Sequence, residues 1–234
     1  NAAASRSSAP TAGAERGARA GRRVHRRPAS RASFVEVKAT LRLDRRATYA
    51  DYLAVEQNSD HRHELIDGVI VAMAGGSDEP NAIAGRLAML LGMRLEGACR
   101  YYSPDQRFWI PSSARGRYAD GAIIWGRPEH PPHDGQASVN PVVVIEVLSP
   151  SSEGDDEGDR RADFQSLASA QAYVLVAQDQ RAVRIYRRVG GQWGQEPELH
   201  LGEGSFDLPM LTRPVTVTEI YDNILDDQGR SLLS

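Results

Sequence analysis

The sequence predicts an α+β (mixed α/β) domain built on a central sheet flanked by helices. Three observations carry this expectation. Asp67-Gly68 between two β-prone segments is a two-residue hairpin signal. Ile83, Leu87, Leu90, Leu91 and Leu95 recur at helical offsets. Pro141–Leu148 is an almost unbroken Val/Ile run, the pattern of a strand buried on both faces.

In chain order, Thr48–Glu56 reads as a short helix with Thr48 as its N-cap. Glu64–Ile66 and Val69–Met73 form the hairpin arms, and Gly75-Gly76 marks a loop. The helical stripe predicts a helix over 81–97. Cys99–Tyr102, Arg107–Ile110 and Tyr118–Trp125 read as strands, followed by a Pro/His/Gly-rich loop over 126–140. Ser149-Pro150-Ser151-Ser152 stops the Val/Ile strand, and residues 153–159 are an acidic loop. Residues 160–171 read as a helix with Phe164 and Leu167 on one face. Ala172–Val176 and Ala182–Tyr186 are strands, Pro214–Thr218 a short strand and Glu219–Leu225 a short helix.

Residues 1–45 are expected to be an Arg/Ala/Ser-rich disordered tail, and 46–234 one folded domain. The first 35 residues hold almost no large apolar side chains, so burial cannot offset the entropy of ordering them. A presequence of mitochondrial type and an extended start remain as alternatives for that segment. No apolar run approaches the roughly 18 residues that span a bilayer, so no membrane association is expected. One cysteine, Cys99, allows no intrachain disulfide, which fits a cytoplasmic location.

The net charge of −3 is unevenly distributed. Eight arginines face one acid in residues 1–35, so the remainder is acidic. That argues against a broad basic face for DNA, though not against a basic cleft. Lysine is nearly absent: Lys38 stands alone beside 27 arginines.

Two carboxylates occupy unusual places. Glu146 lies inside the Val/Ile strand, and Asp120 precedes the apolar run Gly121–Trp125. Buried acids need a partner or a metal. Two acids from adjacent strands can hold one hard cation, Mg²⁺ or Mn²⁺, which completes its shell with water and phosphate oxygens. The alternative is structural: Glu146 pairs with an arginine and Asp120 merely starts a strand. The residues alone leave both open.

Several motifs then occur in order. They are Glu64-Leu65-Ile66-Asp67-Gly68, Met73-Ala74-Gly75-Gly76, Asn81 opening a helix, Tyr118-Ala119-Asp120, and Val144-Ile145-Glu146-Val147-Leu148-Ser149-Pro150-Ser151. Asp156, the helix with Phe164, and Tyr173-Val174-Leu175-Val176 follow. Over roughly 45–225 the chain resembles the Uma-two family, a branch of the PD-(D/E)XK nuclease superfamily. The resemblance implies a restriction-endonuclease-like mixed sheet flanked by helices. It implies Asp120 and Glu146 as metal-binding acids, the Val147 carbonyl as a further ligand, and Glu64 as a supporting acid. It implies DNA as substrate and leaves room for a homodimer.

The chain departs from the family pattern at three points. Ala119 replaces the proline before Asp120, and Pro80 replaces a histidine before the helix. Leu148 stands where the superfamily lysine would be, and Arg160 takes the place of a substituting lysine on the next helix. Arginine can grip phosphate but stays protonated, so it cannot be a general base. If Arg160-Arg161 is instead a solvated helix start, it neutralises the acidic loop.

Other constellations are weaker. His61 with His63, and His130 with His133, lack the cysteines or His-Glu-x-x-His spacing of zinc sites. The 153–159 stretch lacks the EF-hand pattern, no P-loop lysine follows Gly75-Gly76, and Ser151 and Ser152 read as helix caps. Trp109, Trp125 and Trp193 are expected in the core. Two functions follow: a Mg²⁺-dependent endonuclease with Glu64, Asp120, Glu146 and Arg160 in its site, or a catalytically impaired nuclease-fold protein that binds nucleic acid or another partner.

Overall fold

The computed structural model describes residues 40–41, 45–73, 78–148, 154, 158–225 and 228–231. Residues 1–39 and 42–44 of the expected tail, the Gly75-Gly76 loop, the Ser151 and Ser152 caps and most of the acidic loop lie outside them, whereas Thr40–Leu41, expected in the tail, forms a strand.

The elements run β1 (Thr40–Leu41), α1 (Tyr49–Gln57), β2 (His63–Ile66), β3 (Val69–Ala72), α2 (Asp78–Gly92), β4 (Cys99–Tyr102), β5 (Arg107–Ile110), β6 (Arg115–Tyr118), β7 (Gly121–Trp125) and β8 (Pro141–Leu148). There follow α3 (Asp159–Gln165), β9 (Ala172–Ala177), β10 (Ala182–Val189), β11 (Gln192–Trp193), β12 (Glu198–Leu201), β13 (Ser205–Phe206), β14 (Val215–Thr216) and α4 (Val217–Tyr221).

The architecture is mixed, with two principal sheets and flanking helices. A five-stranded sheet has the order β1-β3-β2-β6-β5. A seven-stranded sheet runs β11-β10-β9-β8-β7-β4, with β12 also on β10. Among the described residues its one parallel pair is β8 with β9, joined through α3. Every residue of β8 is buried, as its apolar run requires. One core lies between this sheet, α2 and α4, and contains Ile83, Leu87, Ile145 and Val147. A second lies on the α3 side and contains Val144, Leu148, Phe164 and Tyr173, and a third, smaller one joins Tyr52 of α1 to Leu65 and Ile70 of the hairpin.

The hairpin forms as expected. Asp67 and Gly68 both take positive φ, 52° and 77°, the backbone a type I′ turn requires. A side chain at 68 would also meet the Arg46 Cβ at 2.7 Å. Thr48 caps α1 through a capping box with Asp51.

The structure corrects several boundaries. The second helix begins at Asp78 and ends at Gly92, so Pro80 lies in its first turn, where a missing N–H costs nothing. Leu95 instead bridges Leu211. α3 stops at Gln165, six residues short of the expected end. The supposed single strand Tyr118–Trp125 is two strands, β6 and β7, belonging to different sheets. Trp125 is exposed rather than in the core, while Trp109 and Trp193 are half-buried.

Candidate active site

The break between β6 and β7 builds the site. At Ala119 and Asp120 the chain leaves one sheet and enters the other, so the backbone there lacks regular ladder partners. Buried backbone groups must still be paired. Charged side chains do this. The Tyr118 N–H donates to Glu64 Oε1 at 3.0 Å, and the Tyr118 carbonyl accepts from Arg160 Nη1 at 2.7 Å. The Asp120 N–H donates to Glu146 Oε2 at 3.3 Å. In return, Asp120 Oδ2 accepts from the Val147 N–H at 2.7 Å. Asp120 and Glu146 are thus tied to each other's strands.

Each acid has a reason for its place. Glu146 is buried on β8, which pairs with β7 up to the Gly121–Ile145 step. Glu64 is buried on β2 of the other sheet, and Leu65 pairs with Gly116 of β6. Arg160 is buried in the first turn of α3, which rules out a solvated helix start for it. Its Nη1 and Nη2 donate to Glu64 Oε1 and Oε2 at 2.9 and 3.0 Å. Nη1 also lies 3.9 Å from Glu146 Oε1. Arg161 is half-buried and lies over the Tyr186 ring at 4.3 Å.

A second guanidinium completes the cluster. Arg117 is fully buried and donates from Nε to Asp163 Oδ2 at 2.9 Å and from Nη1 to Glu64 Oε2 at 3.3 Å. Asp163 also accepts from Arg115 and from the Ser113 hydroxyl. Buried charges persist only when compensated in this way.

The electrostatics single out Asp120. Burial pushes its carboxyl above the usual range, and the Glu64 charge adds to this. The Val147 N–H and the Arg160 charge oppose the shift. Burial chiefly, then the charges of Asp120 and Glu146, raise the Tyr101 hydroxyl as well.

Glu64, Asp120, Glu146 and Arg160 therefore gather at one junction, and Val147 presents its N–H there. Glu64 faces arginines, with both oxygens engaged. Among the described residues, no group of three or more His, Cys, Asp or Glu side chains is placed to share a cation. Of the acids at the junction, those without a bidentate arginine partner among the described residues are Asp120 and Glu146. The histidines play other parts: His63 is buried against Glu56, and His133 packs edge-on to Tyr49 and Trp109.

Sequence reasoning missed a second network. Arg107 grips Asp134 through Nε and Nη2 at 2.9 and 3.0 Å. Glu56 Oε2 accepts from the Tyr118 hydroxyl at 2.6 Å and from Arg107 Nη1 at 3.3 Å. Tyr118 joins the two networks, its backbone serving the acid junction and its hydroxyl serving Glu56. Asp134 sits in a loop that reads as solvated, and Glu56 ends a weakly amphipathic helix. No periodic signal marks either.

Comparison with known proteins agrees with this architecture. A family model described as "Uma2: Putative restriction endonuclease" matches residues 49–215. An uncharacterized protein of Synechocystis, sll1609, is 32% identical over 149 residues, covering 62% of this chain and 84% of that protein. A second Synechocystis protein, slr1290, also uncharacterized, is 29% identical over 148 residues, covering 61% of this chain and 75% of that one. A crystal structure from Anabaena variabilis, described as "a putative nuclease belonging to DUF820", superposes with a TM-score of 0.62. It shares 16% identity and covers 76% of this chain and 99% of that one, a likeness of fold.

Proposed function

From the premise that this chain belongs to the Uma2 family, we propose that it is a divalent-metal-dependent endonuclease that hydrolyses DNA phosphodiester bonds. The observation that carries the reading is the pair of hydrogen bonds at the β6–β7 junction, in which the Asp120 N–H donates to Glu146 and the Asp120 carboxylate accepts from the Val147 N–H.

The residues suit a hard cation. Two carboxylates from neighbouring strands, leaving the rest of a shell to water and phosphate, match the preference of Mg²⁺ or Mn²⁺. Asp120 and Glu146 would hold it. The Val147 carbonyl would add a ligand, because an extended residue turns its C=O to the side of its N–H, here towards Asp120. A bound cation would supply a water of lowered pKa and neutralise charge on the phosphate. Burial raises the Asp120 carboxyl, and this cost is recovered when a cation neutralises it.

The chain's own groups do the rest. Arg160 keeps its charge and holds Glu64 and the Tyr118 carbonyl, fixing the junction from which Asp120 projects. Gripping the scissile phosphate would require Arg160 to release Glu64, so its first role is positional. Glu64 is the counter-ion that holds Arg160 there. The cytoplasm is the compartment expected for this activity.

The test is cleavage of duplex DNA in Mg²⁺ or Mn²⁺. Glu146→Ala abolishes cleavage while the chain stays folded. Full cleavage by that variant rejects the site. One observation favours a second reading, a nuclease-fold protein that binds nucleic acid without turnover: both Glu64 oxygens are committed to arginine. That reading predicts DNA binding without cleavage, unchanged in Arg160→Lys. Cleavage switched on by Arg160→Lys would identify a real but impaired catalytic site.

A further inference from the structure

Gly121 directly follows Asp120, and its φ is not in the left-handed region, so backbone conformation does not demand glycine there. The space does. A Cβ at 121 would lie 2.0 Å from the Tyr101 hydroxyl oxygen and 2.7 Å from its Cζ. The tip of the Tyr101 ring therefore rests on the Gly121 backbone, one residue from Asp120. Tyr101 reaches this place from β4, the edge strand paired with β7, where it opposes Ile123. Its ring packs on the core beside α2, and only its polar end comes to the junction.

That hydroxyl makes no hydrogen bond among the described residues, although Tyr118 and Tyr221 place theirs on protein acceptors. The group is largely buried but is absent from the fully buried polar atoms that lack a partner, so it is not sealed from the junction's surface. A phenol with a packed apolar ring and a hydroxyl that lacks a protein acceptor beside two acids is placed to meet an arriving acceptor. A tyrosine hydroxyl carries its proton at neutral pH and can donate it in a hydrogen bond.

The geometry points to Tyr101 as a substrate-contacting residue whose hydroxyl donates a hydrogen bond to a phosphate oxygen of the nucleic acid bound at the Asp120–Glu146 junction. The assignment rests on the nuclease reading for the identity of the ligand. Neither composition nor spacing marks Tyr101, because Cys99–Tyr102 is an ordinary edge-strand pattern. Gly121 is the trace it leaves in the sequence.

The test measures binding of a duplex oligonucleotide in Ca²⁺ and its cleavage in Mn²⁺, with the melting temperature of each variant. Tyr101→Phe keeps the ring and the fold. It is expected to weaken binding about tenfold, the scale of one lost hydrogen bond to a charged group, with an unchanged melting temperature. Gly121→Ala displaces the ring tip and is expected to weaken binding similarly. Wild-type binding and cleavage by Tyr101→Phe overturn the assignment and leave the acid pair standing. A wild type that binds but does not cleave, with Tyr101→Phe weakened, supports Tyr101 and overturns hydrolysis. A wild type that neither binds nor cleaves overturns both.

Discussion

Arg160 grips both carboxylate oxygens of Glu64, at 2.9 and 3.0 Å, across 96 positions of sequence. The contact joins α3 to the hairpin strand β2 and closes over the Tyr118 backbone between them. A bidentate guanidinium–carboxylate pair is directional, so it fixes the β6–β7 junction as well as neutralising it. Because both partners are buried, removing Arg160 strips Glu64 of its bidentate partner and leaves it the longer Arg117 contact at 3.3 Å and the Tyr118 N–H. Arg160→Ala is expected to destabilise the fold by about 3–5 kcal/mol, whereas the double variant Arg160→Met with Glu64→Gln recovers most of that loss. Urea denaturation of wild type, Arg160→Ala and the double variant checks both expectations.

Asp120 has the opposite energetics. Its carboxyl is raised above the ordinary range by burial and by Glu64. The folded state therefore holds a proton more readily than the unfolded chain. Stability falls as pH rises from the ordinary carboxylate range through the raised folded value. Without metal, Asp120→Asn should melt higher than wild type at neutral pH, while losing cleavage. The gain should shrink on acidification. Scanning calorimetry across pH tests this, and a neutral-pH destabilisation would contradict it.

Glu219 shows the reverse sign away from the site. It completes the capping box of α4 with Thr216 and pairs with Arg94. Despite a burial penalty, the Thr216 and Arg94 contacts lower its carboxyl to about 2. Its stabilisation is present above the ordinary Glu value of 4.5 and is lost as pH falls from there through about 2. Glu219→Gln should be less stable than wild type at neutral pH and converge with it near pH 2. Paired thermal melts at several pH values check it.

Gly116 on β6 supports the junction from beneath. A Cβ there would meet the Tyr52 ring at 2.8 Å, and that ring is fully buried with no room to swing. Gly116→Ala is expected to cost about 1–3 kcal/mol through overpacking. Tyr52→Leu in the same chain should relieve part of it, a coupling that denaturant melts of the double variant would reveal.

The legible parts of the fold were those with local causes. Asp67-Gly68 announces its turn because few residues tolerate two consecutive positive φ angles, and Pro141–Leu148 announces a buried strand by hydrophobicity alone. Glu146 stood out because it interrupts that run. The β6–β7 break did not, since Ala119 and Asp120 interrupt no alternation strongly enough to mark a change of sheet. α2 begins earlier than expected because Pro80 suits a first turn and carries no signal of its own. Arg117, Asp163 and Tyr101 were invisible for a different reason. Their roles depend on partners distant in sequence, and an isolated arginine, aspartate or tyrosine reads as surface or core.

The central claim is that Asp120 and Glu146 together bind one divalent cation. Titration of the protein with Mn²⁺, followed by calorimetry or by the loss of the free-ion electron paramagnetic resonance signal, measures this without any substrate. The account predicts a single site in the wild type that is lost in Asp120→Asn and in Glu146→Ala and kept in Tyr101→Phe. Mn²⁺ binding unchanged by either acid substitution would contradict it.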